Sequence, residues 1–98
     1  MRFSGAFTAL ITPFKGGAVD EEALKKIVRL QVKARISGLV PCGSTGEAAT
    51  LTASEKERVV KVVIAEALGK VPVIAGVGTN DTKKTVQAAR AAEDWGAD

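Results

Sequence analysis

Three short apolar runs, Phe7–Thr12, Gly38–Cys42 and Val71–Val77, are each followed by a stretch with helical periodicity, and no other property of the chain constrains its fold as tightly. The first run is rich in β-branched and apolar residues, and Pro13 with Gly16-Gly17 marks its end. Asp20 then precedes Glu21 and Glu22, and Leu24, Ile27, Val28 and Leu30 form a stripe. That is an N-cap, an acidic first turn and one apolar helix face, reaching to about Ala34. The second run opens into Gly43-Ser44-Thr45-Gly46-Glu47, too glycine-rich to continue a strand. Thr52 and Glu55 have the spacing of a capping box, Val59, Val60, Val63, Ile64, Ala67 and Leu68 supply the next apolar face, and Gly69 supplies a stop. The third run carries Pro72 near its start, where a missing donor is tolerated. A third helix is expected from Asn80 or Asp81, through Val86, Ala89 and Ala92, to Gly96.

Strand followed by helix, three times over, reads as three βα units of the α/β class with a parallel sheet and right-handed crossovers. With the strands paired in chain order, all three helices fall on one face, yet the strands are apolar on both sides, as buried parallel strands are. One face is left bare. A closed (β/α)8 barrel covers such a face with its own packed interior; a doubly wound sheet covers it by reversing strand order. A barrel takes about 250 residues, and this chain has 98. Residues 1–98 are therefore expected to be the opening part of something longer, stopping where the next βα unit begins.

Composition narrows the chemistry. Apolar residues at 46% and charged residues at 26% describe a folded globular chain, neither disordered nor membrane-embedded. The net charge of +3 comes wholly from residues 1–49, which hold seven basic and four acidic side chains, while residues 50–98 hold seven of each. That excess is too small and too scattered for a nucleic-acid footprint. A single cysteine forms no internal disulfide, and Met1-Arg2-Phe3-Ser4-Gly5 lacks the apolar run of a signal peptide, so a reducing cytoplasm is the expected compartment. With no His and no Tyr in the chain, an imidazole base or a phenol relay has to be supplied from elsewhere.

The segment with chemical promise is Gly43-Ser44-Thr45-Gly46-Glu47. It offers two adjacent hydroxyls, glycines that let backbone N–H groups approach a ligand, and a place at the C-terminal end of a parallel strand, where α/β sites are built. It suits a small carboxylate or oxyanion. The same five residues also fit an ordinary turn between strand and helix, with Glu47 favouring the helix dipole. Nucleotide motifs do not fit: the loop lacks the Gly-Lys-Ser/Thr ending of a P-loop, and Gly76-Val77-Gly78 is followed by Asp81 where a dinucleotide fingerprint needs glycine. Cys42 reads as a small core residue, since no histidine is present to activate it, and Trp95 reads as packing between helix and sheet.

Ala9-Leu10-Ile11-Thr12-Pro13-Phe14, the stretch from Gly38 through Gly43-Ser44-Thr45-Gly46-Glu47 to Thr50-Leu51, and Pro72-Val73-Ile74-Ala75-Gly76-Val77-Gly78 together resemble the N-terminal third of the 4-hydroxy-tetrahydrodipicolinate synthase family. That family lies among the pyruvate-dependent Schiff-base aldolases, with N-acetylneuraminate lyase. The resemblance runs the whole chain in register, and Thr50-Leu51 leans toward the synthases. It implies a (β/α)8 TIM-barrel lyase, of which residues 1–98 would be the incomplete N-terminal part of a single domain, that condenses pyruvate with L-aspartate semialdehyde in lysine (diaminopimelate) biosynthesis, without a cofactor and as tetramers built from dimers. Thr45 would hold the pyruvate carboxylate through its hydroxyl and N–H, with Gly43 and Gly46 shaping the turn, and Ser44 would be the hydroxyl of a proton relay. Most synthases carry threonine where Ser44 stands; serine keeps donor and acceptor and loses a rotamer-fixing methyl. The imine lysine, the relay tyrosines and the aldehyde-binding arginine belong to later strands or loops. Lys15 alone follows a strand on the catalytic side, and beside Gly16-Gly17 it is expected to be solvated. Lys70 precedes its strand at the opposite end.

The same resemblance implies an effector pocket for lysine at a subunit interface, drawing on Ala49, Ala53, Lys56, Asn80 and Lys84. Lys84 stands where a lysine ammonium wants a carboxylate, so weak or absent lysine inhibition is expected. Asn80 equally serves as a simple cap of the third helix. Gln31 and Arg35 fall where relatives commonly show an apolar residue and glycine, so the first helix is expected to end less sharply and to pack less well. Two other readings stay open: an α/β module without catalysis that self-associates through its bare sheet face, and a lyase of the N-acetylneuraminate type. A small flavodoxin-like phosphate binder lacks a convincing phosphate loop.

Overall fold

The computed structural model describes residues 3–98; Met1 and Arg2, part of the segment read above for a leader, lie outside the described residues. In chain order the elements are β1 (Phe7–Ala9), β2 (Phe14–Lys15), β3 (Ala18–Val19), α1 (Glu21–Lys33), β4 (Gly38–Val40), a 3-10 turn (Ala48–Thr50), α2 (Ala53–Ala67) and α3 (Thr82–Asp94). β1 and β4 pair in parallel, with Thr8 opposite Leu39. The third apolar run joins them through a parallel bridge between Leu39 and Val73, flanked by Leu39 N–H to Pro72 O at 3.0 Å, Ile74 N–H to Leu39 O at 2.9 Å and Gly76 N–H to Pro41 O at 2.9 Å. It lies alongside β4 in chain order without building a longer ladder, because Pro41 has no N–H to give back across the pair, and on its far side Asp98 N–H donates to Val73 O at 2.9 Å.

The sheet is covered on one side only. Leu39 (0% exposed), Val73 (2%) and Leu10 (2%) point toward the helices, as does Thr8, whose hydroxyl donates to Gln31 Oε1 on α1 at 2.7 Å. On the other side Ala9 is exposed and Ile11 is 55% exposed. Gly38 lies on that open side beneath the Phe7 ring, which a Cβ at Gly38 would overlap. The molecule is a slab of 37 × 36 × 20 Å with one greasy side closed by helices. The bare face follows from the βα order itself.

Helices α1 and α2 lie side by side and run the same way, and two cross-helix ion pairs show it. Arg58 grips Glu21 near both helix starts, and Arg29 grips Glu66 near both ends, each through Nε and a terminal nitrogen. Leu24 and Val28 of α1 and Val59, Val60 and Val63 of α2 fill the core between them and the sheet. Trp95, partly buried, packs against the same core, as expected of it.

The helix boundaries follow their capping chemistry. The Asp20 carboxylate accepts from Ala23 N–H at 3.0 Å; Thr52 and Glu55 form the reciprocal box; Asp81, rather than Asn80, caps α3 through Lys84 N–H at 3.1 Å. α1 and α3 close with the same arrangement. Ile36 N–H reaches back to Gln31 O and Arg35 N–H to Val32 O, just as Ala97 N–H reaches Ala92 O and Gly96 N–H reaches Glu93 O. The left-handed residue is Gly96 in α3 but Arg35 in α1, with φ 63°. The first helix therefore ends as sharply as the third, and the difference lies in backbone strain. Gln31, too, is not poorly packed, since its amide oxygen is satisfied by Thr8.

Two local features differ from expectation. The first run is regular only over Phe7–Ala9, although Leu10 N–H still donates to Val40 O at 3.0 Å. Beyond it, Gly16 and Gly17, both at positive φ, turn an antiparallel hairpin in which Phe14 faces Val19. Strands of two residues leave no periodicity to read.

Candidate functional site

The Gly43–Glu47 segment is a folded turn hung from the C-terminal end of β4. Gly46 N–H donates to Gly43 O at 3.0 Å and Glu47 N–H to Ser44 O at 3.0 Å. Glu47 takes a left-handed conformation, φ 59°, before the 3-10 turn. The turn is clamped from the first strand: the Thr12 hydroxyl, 4% exposed, donates to Gly46 O at 2.7 Å. Gly46 is buried, and a Cβ there would stand 2.9 Å from Leu10 O and 3.2 Å from Thr12 Oγ1, so only glycine fits. At Gly43 a Cβ would meet only Val40 Cγ1 at 3.9 Å, so that glycine is not required by space. Gly76 is: its Cβ would overlap the Cys42 carbonyl. The ends of β1, β4 and the third apolar run are thus drawn together at one place.

Ser44 and Thr45 are exposed at the apex of this turn. Among the described residues, neither hydroxyl and neither backbone N–H is hydrogen-bonded. Four donors are therefore left without a partner on an exposed turn that Thr12 pins to the sheet, a disposition that suits a small anion. Cys42, just before the turn, is 2% exposed, and its S–H lies 4.0 Å from Lys56 O. Burial pushes its thiol up to about 11, against a smaller opposing pull from the Lys56 ammonium, so it is a core residue and no nucleophile at neutral pH. Lys15 is exposed on the hairpin, and Lys70 is exposed at the opposite end of the sheet from the turn.

Behind the turn lies a groove of about 600 Å³. Gly43 and Ser44 line it from the turn, Ala49 from the 3-10 turn, Lys56 from α2, and Asn80 and Lys84 from the start of α3. Thr45, Gly46 and Ala53 do not line it. Sequence reasoning overlooked Thr12. Its signal was available: a β-branched hydroxyl closing an apolar run immediately before proline, at a position whose alternation points inward.

Across the structure and the sequence the likenesses converge. The model of the dihydrodipicolinate synthetase family matches residues 2–98. The 4-hydroxy-tetrahydrodipicolinate synthase of Maridesulfovibrio salexigens is 50% identical over 98 residues, all of this chain and 34% of that protein. The crystal structure of dihydrodipicolinate synthase from Aquifex aeolicus superposes with a TM-score of 0.94 at 43% identity, covering 98% of this chain and 33% of that one. The synthase from Acinetobacter baumannii, chloride inhibited and complexed with pyruvate, superposes with a TM-score of 0.95 at 38% identity over 99% of this chain and 34% of that one. Over this stretch the α/β fold is that of the solved dihydrodipicolinate synthases. The chain belongs to the dihydrodipicolinate synthetase family, and it spans about a third of the length of the relatives it matches.

Proposed function

We propose that this chain forms the first three βα units of a (β/α)8 barrel and supplies the carboxylate-binding turn of a cytoplasmic, pyruvate-dependent Schiff-base lyase, which joins pyruvate to L-aspartate semialdehyde in the route to diaminopimelate and lysine. The observation that carries the reading is the clamped Ser44–Thr45 turn, with its unpartnered donors at the C-terminal edge of parallel strands. Pyruvate's carboxylate sits on Thr45, held by its hydroxyl and N–H, and Gly43 and Gly46 give the turn its path. Ser44 passes protons to and from the reacting carbon's neighbours. A lysine elsewhere in the protein condenses with the keto carbon, water leaves, and loss of a methyl proton gives the enamine that attacks the aldehyde. No Tyr is present in the chain, so relay phenols come from other segments.

Borohydride reduction with pyruvate, followed by intact mass, tests this. The 98-residue chain alone gains no adduct, whereas a full-length protein containing it gains one pyruvate less the imine oxygen. A Thr45→Val substitution in that protein raises the pyruvate needed for trapping by roughly tenfold or more. A stable adduct on the short chain, or none on the long one, overturns the reading. Exposure of Ile11 and Ala9 favours one further property, association of the isolated chain through its open sheet face. Sedimentation of the short chain as a monomer at all concentrations excludes it.

A further inference from the structure

The Ser44–Thr45 turn is held from inside by the buried Thr12 hydroxyl, and the peptide groups between that hydroxyl and the apex are bonded in one direction. Thr12 Oγ1 donates to Gly46 O at 2.7 Å. That carbonyl belongs to the peptide group whose N–H, on Glu47, donates to Ser44 O at 3.0 Å. The Ser44 carbonyl in turn shares its planar peptide group with the N–H of Thr45, which has no acceptor among the described residues. Two peptide planes therefore lie in series between Thr12 and the Thr45 N–H, each fixed by the donor bonded to its oxygen. Hydrogen bonds chained in one direction polarise one another, so each carbonyl that accepts makes the N–H of its own peptide group a stronger donor. The backbone needs such a hold. Cys42 and Glu47, on either side of the turn, are left-handed at φ 60° and 59°, a region that residues other than glycine keep only where their surroundings impose it. At the exit of the turn the Thr50 hydroxyl and N–H both donate to Glu47 O, at 2.9 and 3.0 Å.

We propose that Thr12 is a positioning residue for the pyruvate carboxylate: through the Gly46–Glu47 and Ser44–Thr45 peptide groups it aims the Thr45 N–H and strengthens it as a donor. The inference rests on the reading of Thr45 as the carboxylate's seat and deepens it. Thr12 itself is buried behind the turn and acts only through the backbone. Valine in its place keeps the side-chain shape and loses the donor, which frees Gly46 O to turn and takes the polarisation away from both peptide groups. The carboxylate is held before the chemistry and throughout it, so the loss falls on pyruvate binding and leaves turnover nearly untouched.

The test uses a full-length protein containing this chain, with borohydride trapping across a pyruvate titration and steady-state rates beside it. Thr12→Val is expected to raise half-saturating pyruvate, and the pyruvate KM with it, by roughly three- to tenfold. The trapping plateau stays at the wild-type level, and kcat changes by less than about twofold. Thr12→Ser, which keeps the donor, returns the pyruvate requirement to within about twofold of wild type. Thr12→Cys, whose thiol is a weak donor, falls between the two. If the valine protein does not fold, a cysteine protein with the wild-type pyruvate requirement overturns the proposal in its place. Damage to the fold alone has another signature, a lower plateau with half-saturation unchanged. That signature, an unchanged pyruvate requirement in Thr12→Val, or a serine variant as impaired as the valine one overturns the proposal. Thr45→Val in the same titration separates the two readings. If it raises the pyruvate requirement and Thr12→Val does not, only this inference falls; if it has no effect, or the full-length protein traps no pyruvate, the carboxylate assignment itself falls.

Discussion

The hydroxyl of Thr12 reaches across from the end of the first strand to the carbonyl of Gly46, 2.7 Å away, and both partners are buried. Replacing Thr12 by valine keeps the shape and leaves that carbonyl without a partner, at a cost of about 1–3 kcal/mol. Serine restores most of the loss. Urea unfolding of the three proteins checks the order, and a valine variant as stable as wild type would show that the clamp contributes nothing.

Gly76 and Gly78 are two residues apart and differ completely in surroundings. A Cβ at Gly76 collides with the Cys42 carbonyl, and one at Gly78 meets nothing within 4 Å. Gly76→Ala is expected to lose roughly 1–3 kcal/mol or more, whereas Gly78→Ala stays within about 0.5 kcal/mol. Paired melting curves decide the matter.

Arg35 occupies the left-handed position that closes α1, the position glycine holds in α3. Arg35→Gly removes the strain without touching either closing hydrogen bond, so a gain of about 1 kcal/mol is expected, offset in part by greater freedom of the unfolded chain. A loss of stability would mean that the Arg35 side chain does more than its exposure indicates.

Hydrogen bonds from Arg58 and Arg29 hold the Glu21 and Glu66 carboxyls below the ordinary 4.5. A depressed carboxyl contributes its stability above the unfolded value and gives it up as pH falls through the folded one. The melting temperature should therefore decline as pH drops below 4.5, and the decline should flatten in a Glu21→Gln, Glu66→Gln double variant. Both pairs are exposed, so added salt should shrink the difference.

Because burial raises the Cys42 thiol to about 11, only about one molecule in a thousand is ionised at pH 8. Ellman's reagent should react slowly with the native protein and fully once it is unfolded in denaturant. Rapid native labelling would contradict the burial seen here.

Much of this fold is legible in the residues because its punctuation is local. Asp20, Thr52 with Glu55, and Asp81 announce helix starts through side chains that bond three residues ahead, and the starts fall there. Gly96 announces an end because glycine takes the left-handed conformation there without strain. The hairpin at Phe14–Val19 was not legible, since two-residue strands carry no period, and neither was the positive φ of Cys42 or Arg35, which tertiary contacts and the closing bonds impose on residues that do not favour it. At the site, the turn showed itself through its glycines and hydroxyls. The groove did not: Lys56 and Lys84 lie far apart in sequence and meet only because α2 and α3 start beside the same strand ends, so family likeness, rather than spacing, pointed to them.

The unequal treatment of the two sides of the sheet means that one side chain can answer to opposite selections. An Ile11→Lys change would make the short polypeptide easier to express and keep dispersed, since Ile11 there meets mainly water. In a closed barrel the same ammonium would be driven into a dry interior at a cost of several kcal/mol. Screening short versions of such a chain for good behaviour would therefore enrich the very sequences that a closed barrel could not use.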